Sequence, residues 1–545
     1  MRMTNPGPAA LLTCLLLALP SSLSSEAALF PAAPGPGFAE LGARLGAEAE
    51  PLPPRSLAEA ALLASGLAPD RLPSYLARLE ALVAAALANP GLAADAAPAA
   101  RGEALLAFLH ERALRRYEAD ATGLDQLLDS GRYNCVSSAL LYAIAGRAAG
   151  LSVLAVRTPD HAFCLLEAPD RDIDVETTNR YGFDPGNKKE FKDSFGRVTG
   201  FAYAPPGAYS RRELIGDRVF AGLVLSNRAA ILERSGRYRE ALLLGLDLDL
   251  LAPGEESRAF LLDRVNNVAA ELSRRRDYGS ARAFVEEARA SLGDSPRLAS
   301  LARDAAYNEA AALAQAGSWE AALEAAAELL ASYPEAYASG AQGAGPAAAR
   351  RDLGRLVEAC VGNLASARLR AGDYPGARAA LAARRGLLES TAGAGAAAAI
   401  ERRVAEAELA AAVEGLGFAE GLAAAEAAYA SGSVSRARWE EAAAFLYGRE
   451  ANRLAATGEL LGAASLAEAG ASRVPSSRAK LARYAQELRR AFAARAHNEF
   501  AALYNAGKYG EALRAVEEAL MLAPEDPGLR SDRRAAAEAA ARASP

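Results

Sequence analysis

The chain has 545 residues, is 23% charged and 51% apolar, and carries a net charge of −6. This balance suits a globular protein and excludes a disordered one; with no basic block, it also argues against a nucleic-acid partner. Aromatic residues make up only 6% while alanine abounds, as closely packed helices require, and the length suits several domains or one domain followed by repeats.

Residues 1–28 read as a secretory signal peptide. Arg2 supplies the positive start, residues 9–19 form an apolar run too short to span a bilayer, and small residues follow, with cleavage expected within 22–28. An exported protein, periplasmic or extracellular, is therefore expected. Cys14 raises the question of lipidation, but Leu11-Leu12-Thr13 puts no small residue directly before it, and the apolar run continues past it. No later segment has 18 uninterrupted apolar residues, so no transmembrane span is expected. Processing leaves Cys135, Cys164 and Cys360, an odd set that makes no disulfide framework.

Residues 29–55, rich in Pro, Gly and Ala, read as a linker. Ser56-Leu57-Ala58-Glu59 has the form of a capping box, and helical patterns follow at 57–66, 71–88 and 101–117. The stretch RYNCVSSALLYAIAGRAAG (132–150) predicts a helix that Asn134 caps and Cys135 begins. Val136, Leu140, Ile144 and Ala148 give it an apolar face. A thiol in a first helical turn faces the positive end of the helix dipole, which favours the thiolate. Taken alone, a cysteine is more often a buried filler.

Short β-branched or alternating runs at 152–157, 162–167 and 173–178 predict strands, so residues 56–205 form an α+β unit with its helices first. The chain has three histidines: His110 in a helix, His497 in the last repeat, and His161 at a strand start. A hairpin centred between Ala168 and Pro169 places His161 opposite Glu176, with Asp174 on the same face. Either carboxylate can orient the imidazole for a Cys135 nucleophile. Cys164 is out of phase with His161 and points to the core. A Cys135–Cys164 disulfide is one competing reading. A zinc site on Cys135, Cys164 and His161 is another, but it lacks a fourth ligand at close spacing; no metal or cofactor is expected.

The order of Asn134-Cys135 at a helix start, Asp160-His161-Ala162-Phe163 at a strand start and Asp174-Val175-Glu176-Thr177-Thr178 on the next strand resembles the transglutaminase-like superfamily of papain-like cysteine enzymes. The resemblance implies a Cys–His–acid site for acyl transfer to or from peptide amides. Family members commonly carry Asp about 15 residues after the His; here that position is Glu176, with Asp174 as the alternative. The polar loop 178–191 follows, and its Arg180 and Tyr181 are candidates for a cleft wall.

From about 216 the pattern is helical to the end. A turn recurs as SGRYREAL (235–242), RRDYGSAR (275–282), AGSWEAAL (316–323), AGDYPGAR (371–378), GLGFAEGL (415–422), TGELLGAA (457–464) and AGKYGEAL (506–513). The turn breaks one helix, a large residue fills the wedge, and small residues let the next helix pack closely. This resembles tetratricopeptide repeats at a longer period, with Ala-Gly stretches at 338–349 and 391–399 expected to lengthen the loops. Asn227, Asn267, Asn308, Asn363 and Asn498 each lie 11 residues before the turn's large residue. The resemblance makes them candidates for a concave groove that binds a peptide or protein. The expectation is a transglutaminase-like α+β domain followed by an all-α solenoid, acting as an exported cysteine-dependent acyl-transfer enzyme on a protein or peptide substrate. Two alternatives stand beside it: a catalytically silent adaptor that works through its repeats, and a purely structural solenoid.

Overall fold

The computed structural model describes residues 29–543 apart from 32, 36, 187, 201–211 and 338–343. The expected signal peptide and Cys14 lie outside the described residues. The chain divides into two compact units, residues 1–309 and 310–545.

The first unit begins with α1 (Phe38–Leu45), α2 (Pro54–Ala64), α3 (Leu72–Leu87) and α4 (Pro98–Arg112). The stretch expected to be a linker is not one: α1 lies within it, and Phe38, Leu41, Leu45 and Leu52 are buried in the main core. Its apolar residues are spaced to cover neighbouring helices, a signal masked by the surrounding Pro and Gly. The expected capping box does not form either. Pro54 occupies the first helical turn, so α2 starts earlier, Ser56 Oγ donates to Glu48, and Glu59 pairs with Arg44.

Next come β1 (Arg116–Tyr117), α5 (Leu124–Ser130), β2 (Arg132–Tyr133), α6 (Cys135–Ala148), β3 (Ser152–Thr158), β4 (His161–Glu167), β5 (Ile173–Val175), α7 (Lys189–Thr199) and β6 (Glu213–Ile215). β1 and β2 form a short parallel pair; the main sheet runs β5-β4-β3-β6, antiparallel throughout. Helix α6 is not amphipathic as expected: every residue from Val136 to Gly146 is buried. It is the central helix, enclosed by α2, α4, α5, α8 and one sheet face, and a helix covered all round needs no polar side.

Helix pairs follow: α8 (Asp217–Arg234) with α9 (Tyr238–Leu251), then α10 (Glu255–Arg274) with α11 (Tyr278–Leu292). The first pair shares the core of the α+β region rather than starting a separate domain, since Phe220, Val224, Leu225 and Leu248 pack into it. Arg147, at the end of α6, fastens this junction. Its guanidinium grips both oxygens of buried Asp217 at 2.5 and 2.9 Å and donates to the Val153 carbonyl at 2.9 Å. Asp217 also accepts from Leu52 N at 2.6 Å.

The remaining helices are α12 (Pro296–Gln315), α13 (Trp319–Ser332), α14 (Pro334–Tyr337), α15 (Ala344–Arg370), α16 (Tyr374–Thr391), α17 (Ala394–Gly415), α18 (Phe418–Ala430), α19 (Arg436–Ala456), α20 (Leu460–Arg473), α21 (Arg478–Asn505), α22 (Tyr509–Leu522) and α23 (Pro527–Ala543). Each large turn residue read from the sequence, from Tyr238 to Tyr509, is the first residue of its helix. In six of the seven turns the break before it is a left-handed residue, as at Gly236 and Gly507; in RRDY the non-glycine Arg276 takes that conformation at φ 62°, whereas before Phe418 the chain breaks in extended backbone at Leu416 and Gly417. The expected loop at 391–399 is absent, because α17 starts at Ala394, and 344–349 belong to α15. Alanine-rich sequence favours helix, so at 391–399 the long period reflects a longer helix rather than a longer loop, while 338–343 of the other expected loop lie outside the described residues. Among the described residues no helix is long and apolar enough to cross a membrane.

Candidate active site

The start of α6 is built by Asn134. Its side-chain oxygen accepts from Val136 N at 2.9 Å and Ser137 N at 3.1 Å, while Ser137 Oγ accepts from Asn134 N at 3.0 Å. Such a reciprocal cap contributes on the order of 1 kcal/mol. Asn134 also donates to the Ala119 carbonyl at 3.0 Å, tying the cap to the loop after β1. Cys135 is thereby held at the first helical position, half-buried, with its backbone amide left out of the cap's own bonds.

His161 opens β4, and its Nε2 lies 2.5 Å from Glu176 Oε2. The ring is flanked by Phe163, nearly parallel at 6.3 Å, and by Phe195 of α7, edge-on at 6.2 Å. Burial by itself would lower the imidazole pKa. The Glu176 charge and the ring's interactions with the Cys135 thiol and with Glu176 outweigh it and hold the pKa well above the ordinary value. With Nε2 given to Glu176, Nδ1 is the nitrogen left for the sulfur.

The hairpin register differs from expectation by two residues. Cys164 pairs with Val175 and Leu165 with Asp174, so the hairpin centre lies between Pro169 and Asp170. A shift of two preserves faces, because side chains alternate with period two. Glu176 therefore still reaches His161, as a diagonal neighbour beyond the end of β5. The expected third strand stops at Val175, because Glu176 turns the chain: its Oε1 accepts from Thr178 N at 3.2 Å and from Thr178 Oγ1 at 2.7 Å. Asp174 is held elsewhere, gripped by Arg212 at 2.5 and 2.8 Å. Of the two candidate acids, Glu176 is the one on His161.

Sequence reasoning missed the groups around this turn. His110 Nε2 donates to the Thr177 carbonyl at 3.1 Å, Tyr133 OH donates to the Thr178 carbonyl at 3.1 Å, and Ser138 Oγ lies 2.8 Å from Thr177 Oγ1. Burial lowers the His110 pKa to about 4, against the bond to Thr177 and with help from Arg180, so its ring is neutral at pH 7. Burial and the Glu176 charge raise the Tyr133 phenol to about 12; Tyr117, in edge contact with Tyr133 at 6.0 Å, is raised by burial and by Cys135 and Glu176. The only sequence trace of this arrangement is Tyr133, within the RYNC stretch itself.

Cys164 is fully buried on the opposite sheet face, and its thiol donates to the Ala139 carbonyl at 3.3 Å. It shares neither a disulfide nor a ligand set with Cys135; all three described cysteines are free thiols. Among the described residues no cluster of three or more His, Cys, Asp or Glu side chains is placed to hold a metal ion. Arg180 and Tyr181 are exposed and lie against each other, guanidinium 5.4 Å from the ring.

No protein-family model matches this chain, and a search of curated proteins finds no significant match.

The five asparagines divide. Asn227 donates to Thr122 Oγ1 at 3.0 Å and so anchors the loop that packs on the start of α6. Asn267 donates to Glu233 at 2.8 Å, bonding the end of the preceding α8. These two serve internal bonds rather than an open groove. Asn308, Asn363 and Asn498 are exposed. Equal spacing from each turn sets where an asparagine falls on its helix, but not what packs opposite it.

Proposed function

We propose that this protein is a Cys135-dependent acyl-transfer enzyme of the transglutaminase-like type, acting on peptide or protein amides, with helical repeats that bind a peptide or protein partner. The observation that carries this reading is the 2.5 Å contact between His161 and Glu176 on a ring whose other interaction is with Cys135, at the start of a capped helix. The order of cysteine helix, histidine strand and acid on the next strand supports the same reading.

In this mechanism the Cys135 sulfur attacks an amide carbonyl carbon. The oxyanion is met by the backbone N–H of Cys135 in the first helical turn. The His161 imidazolium protonates the leaving amine as the C–N bond breaks, giving a thioester and a free amine. Neutral His161 then takes a proton from water or a second amine as it attacks the thioester, and returns that proton to the departing sulfur or holds it as the ion pair. Glu176 keeps the ring oriented and stabilises its charge throughout. Grooves beside α17 and α19, lined by Leu409, Val413 and the exposed Phe445, support a peptide-binding role for the repeats. The apolar stretch at 9–19 supports export.

The test is alkylation. Because Cys164 and Cys360 are buried, limiting iodoacetamide should add one label to the folded protein carrying Cys14→Ser, the background for all variants, read by intact-mass spectrometry. Cys135→Ala should remove that label, and His161→Ala should slow it strongly at neutral pH. Equal labelling of Cys135→Ala, or an unchanged rate in His161→Ala, rules out the proposed site.

A further inference from the structure

Glu176 sits just past β5, and its main chain is tied within the turn, its N–H to the Gly182 carbonyl at 2.8 Å and its carbonyl to Asn179 N at 3.3 Å. Its side chain must be fixed as well, because a carboxylate that orients an imidazole is useful only if its own position is set. The two donors on Glu176 Oε1 both belong to Thr178: its amide at 3.2 Å and its hydroxyl at 2.7 Å. The aim of the Glu176 carboxylate therefore depends on the orientation of Thr178.

The Thr177–Thr178 peptide is a plane with the Thr177 carbonyl at one edge and the Thr178 N–H at the other, pointing opposite ways. His110 Nε2 holds that carbonyl at 3.1 Å. Fixing the oxygen aims the N–H at Glu176. The next peptide plane is held in the same way, by Tyr133 OH on the Thr178 carbonyl at 3.1 Å. With both planes pinned, the backbone angles of Thr178 are set, and its hydroxyl points at the same Oε1. Thr177 and Thr178 are fully buried, so water cannot replace either donor.

We propose that His110 and Tyr133 form a two-donor clamp on the Thr177 and Thr178 carbonyls, and act as positioning residues for the Glu176–His161 pair. Neither touches the reacting atoms in this arrangement. The two donors come from elements that must already be in place around α6. His110 is on α4, which packs so closely that a Cβ on Gly102 would lie 2.7 Å from Leu166. Tyr133 is on β2, two residues before the nucleophile. The clamp thus links assembly of the acid turn to the helix that carries Cys135. Neutral His110 suits the task, since its donating nitrogen carries the ring's single proton.

This inference rests on the acyl-transfer reading, and the experiment separates the two. The variants are Tyr133→Phe, which removes one hydroxyl and keeps the ring, His110→Phe, which removes the donor, and His110→Gln, whose side-chain amide supplies an N–H in its place. Two quantities are read: the NMR titration of the His161 ring, and the rate of Cys135 alkylation at pH 7. Tyr133→Phe and His110→Phe should move the His161 titration down toward the ordinary imidazole range and slow alkylation roughly 10- to 100-fold, the scale expected for about 1 Å of misplacement. His110→Gln should restore most of both. Wild-type titration and rate in Tyr133→Phe overturn the clamp, as does folded His110→Gln behaving like folded His110→Phe. If His110→Phe fails to fold, Tyr133→Phe decides. If alkylation of the wild type does not depend on His161 at all, it is the acyl-transfer reading that fails.

Discussion

Gly182→Ala should disable the site without replacing any residue of the Cys–His–Glu set. Gly182 closes the acid turn: its carbonyl accepts from Glu176 N at 2.8 Å, and its own N–H donates to Asn179 O at 2.9 Å. A Cβ built on it would lie 1.9 Å from the Glu176 carbonyl oxygen and 2.9 Å from that of Asn179. Ordinary contact begins near 3.4 Å, so one of the two backbones must give by about 1.5 Å. Both are backbone atoms, and no side-chain rotation relieves the clash. Overpacking of this kind costs about 1–3 kcal/mol of stability. The functional effect should be larger in proportion, because the displaced atom belongs to Glu176, and about 1 Å at a reacting centre costs on the order of 100-fold. Alkylation of Cys135 at pH 7 should therefore fall about 10- to 100-fold, with a lowered His161 titration and a modest loss in urea stability. Gly448→Ala, inside a helix where an added Cβ meets nothing within 4 Å, is the control: it should leave the labelling rate and the His161 titration unchanged and raise stability by about 0.5–1 kcal/mol. A Gly182→Ala protein with the wild-type labelling rate and His161 titration would refute the claim that this close approach sets Glu176.

Glu176→Gln and Asp174→Asn should separate sharply. Glu176→Gln removes the charge that raises His161 and leaves only Cys135 to oppose burial, so the ring should titrate below its wild-type value; Asp174→Asn breaks only the pair with Arg212 and should leave the His161 titration in place. The pH dependence follows in sign: a folded imidazole held above its ordinary value stabilises the fold fully below about pH 6.5, and this contribution is lost as pH rises through the folded value. Urea melts across that range should show a larger alkaline loss in wild type and Asp174→Asn than in Glu176→Gln; an identical profile in all three counts against the Glu176 assignment. Arg147→Ala strands Asp217, whose side chain is only 3% exposed, and should cost about 3–5 kcal/mol in an equilibrium urea melt. A loss below about 1 kcal/mol would show that the α6–α8 junction does not depend on this pair.

Much of the site was legible because its signals are local. Asn134 before an apolar run marks a helix start, and alternation along a strand survives a register error of two, so Cys135, His161 and Glu176 were readable in order. The choice between Glu176 and Asp174 was not, because it depends on where β5 ends and on Arg212, 38 residues beyond Asp174. The clamp was illegible for a similar reason. His110 is an ordinary helical residue until the fold brings Thr177, 67 positions away, against its ring. The repeat turns were readable because each break and each wedge residue lies within eight residues of sequence. The fate of Asn227 was not, since its partner Thr122 lies on a loop 105 positions earlier.

By itself the sequence determined the elements and their order: a capped helix beginning at Cys135, a strand opening on His161 followed by a second that ends just before Glu176, and helices opening on Tyr238, Tyr278, Trp319, Tyr374, Phe418, Leu460 and Tyr509. Caps, turns and periodicity act over a few residues, and their physics is written in adjacent side chains. Tertiary structure alone decided which carboxylate meets the imidazole, that α6 is enclosed on every side, that residues 38–52 belong to the core, and that Asn227 braces a loop instead of facing a groove. Those outcomes depend on burial and on hydrogen-bond partners from distant segments, which exist only once the chain has packed.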